Sequence, residues 1–300
     1  MIIKSPIDLD LTINAGQTSQ PPWKREGDSF SNVVMIDGEP VIFSVSQSGD
    51  YIDFNSDDER AVSKLKYIFD LDYDLEKFYS YLNDHEELRD MSKFCNGLRL
   101  FLAPDPFECI ISSICSANNS IKRWTKSISQ MKQKWGNRYQ NYYTFPQSSD
   151  LAKVYLDEEE EFNRSSVSDI SKCCNNLKNC GVGYRAPYMR RASEIFTLEM
   201  DLSEIFSMSY DEAFETIMEV PGVGPKVADC ILLYGFNFRE AFPSDVWIKR
   251  IVSHLYFDGK DISVPKVREF GMEEFGENAG YVQLYMFHYA RMSGLMNKLK

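Results

Sequence analysis

The segment EVPGVGPKVADC, residues 219–230, constrains the fold of this chain more than any other stretch. Apolar residues at helical spacing flank it, so the pattern predicts two helices joined by a tight turn. Pro225 suits the first turn of the second helix, where its missing N–H leaves no hydrogen bond unmade. The turn residues and the positive end of that helix predict an anion site, typically for a phosphate, built on Gly222, Val223 and Gly224. The alternative is an ordinary helix–turn–helix corner.

Lys226 falls in the first turn of the second predicted helix. The N–H dipoles at a helix start disfavour the charged form of an amine, and burial has the same effect, so we expect a lowered pKa for Lys226. An amine with a lowered pKa is a nucleophile toward carbonyl-like carbons. Holding a phosphate and covering the helix surface are the alternative roles.

Asp245 lies 19 residues beyond Lys226, in the sequence FPSDVW, and opens a further predicted helix. The helix 225–235 is about 16 Å long at about 1.5 Å per residue. The loop 236–244 spans more than about 25 Å when extended, at about 3.3 Å per residue. The loop therefore has the length to bring Asp245 back beside Lys226. A plain helix N-cap is the alternative for Asp245.

The N-terminal part of the chain predicts strands and the remainder predicts helices. Residues 1–58 contain β-rich runs broken by the turn sequences DGEP and QSGD, which indicate an antiparallel meander. From residue 59 the apolar spacing is helical, and Asp105 followed by Pro106 predicts a helix start. Residues 141–165 are predicted to be irregular. Later helices are predicted over 166–178, 186–198, 210–219, 225–235, 245–257, 264–275 and 279–295.

The predicted fold class is therefore α+β and mostly α, with a small N-terminal antiparallel β domain and a larger helical domain. We place the β-rich domain and the helices that follow it at 1–92 and the helical domain at 93–300. The hairpin, meaning the two helices joined by the tight turn, occupies 216–233 of the helical domain. No apolar run approaches the roughly 18 to 20 residues that a membrane helix needs. The N-terminus lacks the basic start and apolar core of a signal peptide, so we expect a cytoplasmic protein without a membrane partner.

The charges are segregated along the chain. The net charge of −12 argues against nucleic acid when taken alone. Residues 121–139 nevertheless carry six basic side chains and no acid, and residues 183–191 add three arginines. A basic stripe on an acidic body can hold a phosphate backbone. The alternative is the solvated face of a helix, and the acidic run 157–161 is interpreted as a solvated loop or helix end.

Seven cysteines and no signal peptide argue against a disulfide framework. Cys173, Cys174 and Cys180 cluster, but zinc normally requires a second pair or nearby histidines, and the three histidines are scattered. We therefore expect no metal site of this kind and no cofactor.

The segment VPGVGPKVADC followed by FPSDVW resembles the helix-hairpin-helix-GPD DNA glycosylases, and most closely the 8-oxoguanine DNA glycosylase/AP lyases. The resemblance extends over most of the chain. It implies a bifunctional enzyme of base excision repair that flips out and excises 8-oxoguanine opposite cytosine through a lysine Schiff base, then cleaves the strand by β-elimination. By this resemblance Lys226 is the nucleophile that attacks C1′, and Asp245 acts electrostatically near the sugar.

Four further residues match family positions that meet the opposite cytosine or wedge into the duplex. DPFECIISSICSANNSIKR, residues 105–123, resembles the segment that reads the orphaned cytosine, and GVGYRAPY, residues 181–188, resembles the segment that carries the wedge. An arginine fork and an asparagine amide suit the exposed edge of a base, and aromatic rings replace lost stacking. These residues are Asn118 and Arg123 for cytosine, Tyr184 as the wedge, and Arg185 for cytosine.

The lesion pocket is implied by three segments. AGYVQLYMFHYAR, residues 279–291, matches the pocket lining, with Gln283 on the Watson–Crick edge and Phe287 on the face of the base. Cys230 lines the opposite face. In LTINAGQTSQPPW, Gly16 matches the glycine whose carbonyl accepts the N7 hydrogen that marks 8-oxoguanine, while TSQPP departs from the usual Ser-Phe-Arg-Trp run. The alternative is that Phe287 and Cys230 are core residues that take no part in binding.

The resemblance also implies a monomer that acts on double-stranded DNA containing oxidised guanine, in the nucleoid or the nucleus. A structural monovalent cation held by the hairpin carbonyls is compatible with it. Two alternatives stay open: a glycosylase of the same superfamily for an alkylated purine or a mismatched base, and a non-catalytic DNA-binding protein that uses the hairpin for phosphates alone. Iron–sulfur glycosylases usually carry four cysteines after the catalytic domain, and none follows Cys230.

Overall fold

The computed structural model describes residues 1–295. Its N-terminal part is a five-stranded antiparallel sheet with strand order β1-β5-β4-β3-β2. Two-residue turns at Asp37–Gly38 and Gly49–Asp50 connect the longer strands, as the turn sequences predicted. The strands are β1 Ile2–Lys4, β2 Lys24–Glu26, β3 Ser29–Ile36, β4 Glu39–Ser48 and β5 Tyr51–Phe54.

Residues 1–58 are not all strand, because a helix, α1 (Leu9–Asn14), follows β1. These residues fall in the stretch predicted as strands, but the Asp8 carboxylate accepts a hydrogen bond from Leu11 N at 2.8 Å and caps a helix instead. One face of the sheet packs with α1 and α2 (Glu59–Ile68) around Trp23, Phe43 and Phe69.

Helices form the remainder of the protein. The predicted start at Asp105–Pro106 is confirmed, and so are the helices predicted near 186–198, 210–219, 225–235, 245–257, 264–275 and 279–295. Within residues 1–295, no helix is long and apolar enough to cross a membrane. The helices are α3 Leu75–Asp84, α4 Arg89–Phe94, α5 Pro106–Ser116, α6 Ile121–Trp135, α7 Ser148–Leu151, α8 Glu158–Arg164, α9 Ala186–Leu198, α10 Leu202–Ile205, α11 Tyr210–Met218, α12 Pro225–Phe236, α13 Val246–Tyr256, α14 Val264–Phe275 and α15 Ala279–Met292.

The prediction of a helix over 166–178 is wrong. This segment is irregular, with short 3-10 turns at Ile170–Lys172 and Lys178–Cys180. Serine, asparagine and aspartate compete with the backbone for hydrogen bonds and weaken helices. The buried Glu161 carboxylate accepts hydrogen bonds from Cys174 N and Asn175 N, which holds the chain extended.

Residues 141–165 are more regular than predicted. They contain α7, α8 and the second strand of a small hairpin formed by β6 (Arg138–Tyr139) and β7 (Tyr142–Tyr143). The acidic run begins α8, where Asp157 is the N-cap and the acids complement the positive end of the helix. The interpretation of that run as a helix end is confirmed, but the expectation that it is solvated fails at Glu161, whose carboxylate is buried.

Two hydrophobic cores meet at the segment 97–103. The smaller core lies under the sheet, while α3 and α4 pack with the later helices into the larger one, so no break in packing marks residues 92–93. Arg99, 1% exposed, lies at the junction. Its guanidinium donates to the carbonyl oxygens of Pro6 at 2.9 Å, Asp70 at 2.6 Å and Tyr73 at 3.1 Å.

We predict that Arg99→Met lowers the free energy of unfolding by about 3 kcal/mol or more, because three carbonyls lose a donor and each buried unpaired group costs about 1–3 kcal/mol. Urea denaturation measures the change. Arg60→Met is the matched control, since Arg60 makes exposed ion pairs worth less than about 1 kcal/mol. Equal losses for the two variants would contradict this role of Arg99.

Candidate active site

The predicted hairpin is present between α11 and α12. Ser209 begins α11 with a capping box to Glu212, and Pro225 occupies the first turn of α12. Gly222 has a φ of +84°, which favours glycine, and a Cβ there would lie 2.6 Å from the Tyr188 ring. Gly224 has an ordinary φ of −108° and precedes α12 as its N-cap. Only Gly222 is therefore required by the backbone of the turn itself.

Not all of the predicted phosphate donors are free in this turn. Val223 N donates to the Val220 carbonyl at 3.0 Å, and the Val223 side chain is buried. Gly222 and Gly224 line an open cleft, whereas Val223 does not. The prediction of Val223 as a phosphate donor thus needs correction, because its N–H closes the turn.

A buried polar cluster that the sequence analysis missed fixes α12. Asp229, fully buried on α12, accepts a hydrogen bond from Tyr210 Oη on α11 and one at 2.7 Å from Arg268 Nε on α14. The Arg268 guanidinium also lies 4.2 Å from the Phe214 ring. An acid inside the apolar run VADCILL was the available signal, since a buried carboxylate requires a partner.

Lys226 and Asp245 line the same cavity, as predicted from the loop length. Asp245 caps α13 by accepting from Trp247 N at 2.8 Å and Ile248 N at 2.9 Å. The carboxylate therefore acts as a helix cap and as a wall of the cavity at once. Gln283 on α15 donates to the Pro243 carbonyl at 3.0 Å, which holds the preceding loop beside α15.

The expected lowering of the Lys226 pKa is wrong for the free protein. Burial, the largest effect, works to lower that pKa, but the Asp245 carboxylate favours the ammonium, and the pKa lies above its ordinary value. Burial raises the pKa of the Cys230 thiol in turn. Near neutral pH the pair is therefore an ammonium beside a neutral thiol, and Lys226 must lose a proton before it can attack.

The four residues predicted for a base pocket surround this cavity together with Lys226 and Asp245. Gly16, Cys230, Gln283 and Phe287 all line it. The Gln283 side chain is 5% exposed, and its Oε1 has no hydrogen-bond partner among the described residues. A buried acceptor without a partner is costly, so this oxygen is available to a ligand.

The cavity is narrow and opens toward a larger cleft. Its volume is about 50 Å³, which leaves room for a few water molecules and not for a purine. The adjoining cleft, of about 650 Å³, shares Lys226, Asp245 and Phe287 with the cavity. Binding of a base therefore requires the walls of the cavity, such as the partly exposed Phe287 ring, to move.

Of the residues predicted to meet the opposite cytosine or to wedge into the duplex, Asn118 lines the cleft, and Arg185 contacts the loop that carries it. Tyr184 is 58% exposed and its ring lies 4.4 Å from the Arg185 guanidinium. Arg185 is buried and donates to the carbonyls of Ala117 and, at 3.2 Å, Asn118. Asn118 is exposed with a φ of +50°, and Arg123 is exposed in the first turn of α6. In the free protein, Arg185 thus holds the loop that presents Asn118.

Gln17, which matches the family segment, and the divergent run TSQPP after it mainly link the two cores. Gln17 donates to the Arg99 carbonyl at 3.0 Å and accepts from Phe101 N at 2.9 Å. Gln20 accepts from Trp23 Nε1 at 2.8 Å. Thr18 is the exception, because it lines the cavity and lies 3.0 Å from the Ser113 hydroxyl.

Trp247 is a further cleft residue that the sequence analysis did not single out. It is 43% exposed, two residues after Asp245, and lines the cleft. Large exposed aromatic side chains beside a polar cleft are typical of binding surfaces. Its exposure depends on the α13 orientation, which apolar spacing alone does not determine.

Comparisons with known proteins agree with this geometry. Residues 1–110 match the 8-oxoguanine DNA glycosylase N-terminal domain, and residues 111–277 match the HhH-GPD superfamily of base excision DNA repair proteins. A probable N-glycosylase/DNA lyase from Methanothermobacter thermautotrophicus is 45% identical over 306 residues, covering 98% of this chain and 96% of that protein. The N-glycosylase/DNA lyase of Saccharomyces cerevisiae is 26% identical over 283 residues, covering 85% of this chain and 70% of that protein.

A similar solved structure is the Clostridium acetobutylicum 8-oxoguanine glycosylase/lyase in complex with double-stranded DNA that contains cytosine opposite 8-oxoG. It shares 28% sequence identity and a TM-score of 0.81, covering 98% of each chain. The two family models together span most of this chain, and their junction at 110–111 lies within α5. The chain therefore belongs to the 8-oxoguanine DNA glycosylase family of the HhH-GPD superfamily.

Proposed function

We propose that this protein is a bifunctional DNA glycosylase/AP lyase that excises 8-oxoguanine opposite cytosine and then cleaves the strand. One observation carries the proposal: Lys226 and Asp245 line the same cavity as Gly16, Gln283 and Phe287. A lysine nucleophile beside a carboxylate provides the chemistry, and the other residues provide a base pocket. A protein that only bound phosphates would need no such pocket.

The first task is to bind the duplex and extrude one nucleotide. Extrusion costs a few kcal/mol in lost pairing and stacking. Gly222 and Gly224, at the positive end of α12, bind a backbone phosphate, and the basic side chains of α6 add attraction. Tyr184, 58% exposed, enters the space that the nucleotide leaves.

The second task is to recognise the extruded base. Phe287 stacks on one face and the Cys230 side chain contacts the other. The Gln283 amide bonds the Watson–Crick edge, where its unpartnered Oε1 accepts from a base N–H. The Gly16 carbonyl accepts the N7 hydrogen that 8-oxoguanine carries and guanine lacks.

The third task is covalent. Neutral Lys226 attacks C1′ and the glycosidic bond breaks, so its electron pair leaves with the base, which takes up a proton. The Asp245 carboxylate stabilises the positive charge that develops on the sugar. The amine nitrogen passes its remaining proton to O4′ as the C1′–O4′ bond breaks, which opens the sugar ring and leaves a C1′=N Schiff base. Loss of a C2′ proton then expels the 3′ phosphate and cleaves the strand.

We infer a monomer acting on duplex DNA in the nucleoid or the nucleus. The residues proposed as nucleophile, base pocket and phosphate contacts all line this cavity or the adjoining cleft, so the proposed chemistry calls for no residue from a second copy. Phosphate contacts do not depend on the base sequence, so together with a single base pocket they suit a protein that scans duplex DNA for rare lesions.

We predict that borohydride traps a covalent adduct between the wild-type protein and a duplex carrying 8-oxoguanine opposite cytosine, and that Lys226→Gln forms none. The glutamine cannot form a Schiff base. Denaturing gel electrophoresis measures the adduct. Lys77→Gln, at a lysine that is 78% exposed and does not line the cavity, is the control and keeps the adduct. An adduct with Lys226→Gln would contradict the assignment.

We predict that single-turnover base release accelerates as the pH rises from about 6 to about 9, because the raised pKa leaves Lys226 mostly protonated over this range and its small neutral fraction grows with pH. Asp245→Asn retains a helix cap but removes the charge that raises this pKa. The variant is slower at its maximum, and its profile moves to lower pH. A profile that falls with rising pH, or one that Asp245→Asn leaves in place, would oppose this role of the pair.

We predict that Gly222→Ala lowers the free energy of unfolding by about 1–2 kcal/mol from the left-handed backbone alone. The clash with Tyr188 displaces the turn as well, so affinity for duplex DNA falls about tenfold, equivalent to about 1.4 kcal/mol. Gly224→Ala is the matched control for stability, since its methyl meets nothing within 4 Å. Thermal melting and fluorescence anisotropy measure the two quantities. Unchanged stability in Gly222→Ala would exclude this constraint.

A further inference from the structure

Arg291, in the last turn of α15, contacts two walls of the base pocket. Its Nη1 donates to the Ala15 carbonyl at 3.1 Å. Its guanidinium carbon lies 5.1 Å from the centre of the Phe287 ring, one helical turn earlier. The same side chain therefore joins the segment that carries Gly16 to the ring that stacks on the base.

The contact with Gly16 is close. Gly16 has a φ of +85°, and a Cβ built there would lie 3.4 Å from Arg291 Nη1 and 2.4 Å from Ile121 Cδ1. The backbone at Gly16 is thus confined between α6 and the guanidinium. A carbonyl that must accept a hydrogen bond from a base requires this kind of confinement, because a displacement of about 1 Å is enough to lose much of the rate.

The charge of Arg291 has no carboxylate partner within 4 Å in the part of the chain that the structure describes. The guanidinium is partly buried, and burial alone lowers the pKa of Arg291. Arginines used only for stability are usually paired with an acid. A neutral side chain would cover α15 at lower cost, so the guanidinium has a use beyond packing.

We propose that Arg291 is a positioning residue for base recognition, which joins the Phe287 ring to the Ala15–Gly16 backbone and so keeps these two walls in register when the pocket opens for an oxidised purine. This inference rests on the proposed function. Arg291 itself lines neither the cavity that holds Lys226 nor the adjoining cleft. Its loss therefore impairs recognition and release of the base and spares the step in which Lys226 acts on a sugar that has already lost its base.

The test compares two substrates, 8-oxoguanine opposite cytosine and a preformed abasic site opposite cytosine, under single-turnover conditions. Arg291→Met keeps the length of the side chain and removes the charge and the donors. We expect release of 8-oxoguanine to slow by about tenfold to a hundredfold, with cleavage at the abasic site changed by less than about twofold. A side chain that served only overall stability would slow both reactions together.

Two further variants complete the experiment. Arg291→Lys keeps a positive charge over the ring and an N–H donor group, so we expect it to restore part of the base-release rate. Base release should again be slower than in wild type while cleavage at the abasic site is unchanged. This variant carries the test if Arg291→Met does not fold. Arg89→Met is the control, because Arg89 also donates to a backbone carbonyl, that of Asn83 at 3.1 Å, but lies outside the pocket. It is expected to match wild type on both substrates.

Equal losses on the two substrates, or no loss on either, would overturn the proposal for Arg291. Failure of the proposed function is seen separately in the wild-type protein, as absence of base release from the 8-oxoguanine duplex. That result would overturn both the proposed function and the proposed role of Arg291. A wild-type protein that releases the base while Arg291→Met keeps the full rate overturns the role of Arg291 alone.

Discussion

The site depends on keeping an amino group at the positive end of a helix. The start of α12 disfavours a positive charge at Lys226, and burial adds to that cost. The Asp245 carboxylate offsets it, because the loop after α12 returns and starts α13 beside the same cavity. The result is a lysine held as an ammonium in the free protein. Its nucleophilic form therefore has to be generated when DNA occupies the site.

The geometry at Lys226 is held by contacts that take no part in the chemistry. Asp229, one turn along α12, is bonded to both Tyr210 and Arg268, so α11, α12 and α14 share one buried polar cluster. Breaking such a cluster at one member leaves an uncompensated buried charge, which costs several kcal/mol. The pocket wall at Gly16 is fixed in the same way, through Gln17 and the carbonyl of Arg99. The base pocket therefore lies where the sheet domain meets the helical domain, and both cores support it.

Much of this arrangement could be predicted from the sequence, because the hairpin and its helices follow from local rules. Glycine, proline and helical apolar spacing locate α11 and α12, and the loop length permits Asp245 to reach Lys226. The α1 helix was mistaken for a strand because a six-residue element is too short for its periodicity to outweigh one capping aspartate. The segment 166–178 was mistaken for a helix because Glu161, distant in sequence, binds its backbone. The raised pKa of Lys226 and the contacts of Arg291 depend on tertiary neighbours that no spacing rule includes.

The most direct test of the central claim is to identify the residue that becomes covalently attached to DNA. The adduct formed with 8-oxoguanine DNA under borohydride would be digested with protease and nuclease, and the modified peptide sequenced by mass spectrometry. The proposed chemistry predicts a reduced sugar remnant on Lys226, within the peptide that contains VPGVGPKVADC. A remnant on the N-terminal amine or on another lysine would contradict it, as would base release without any adduct.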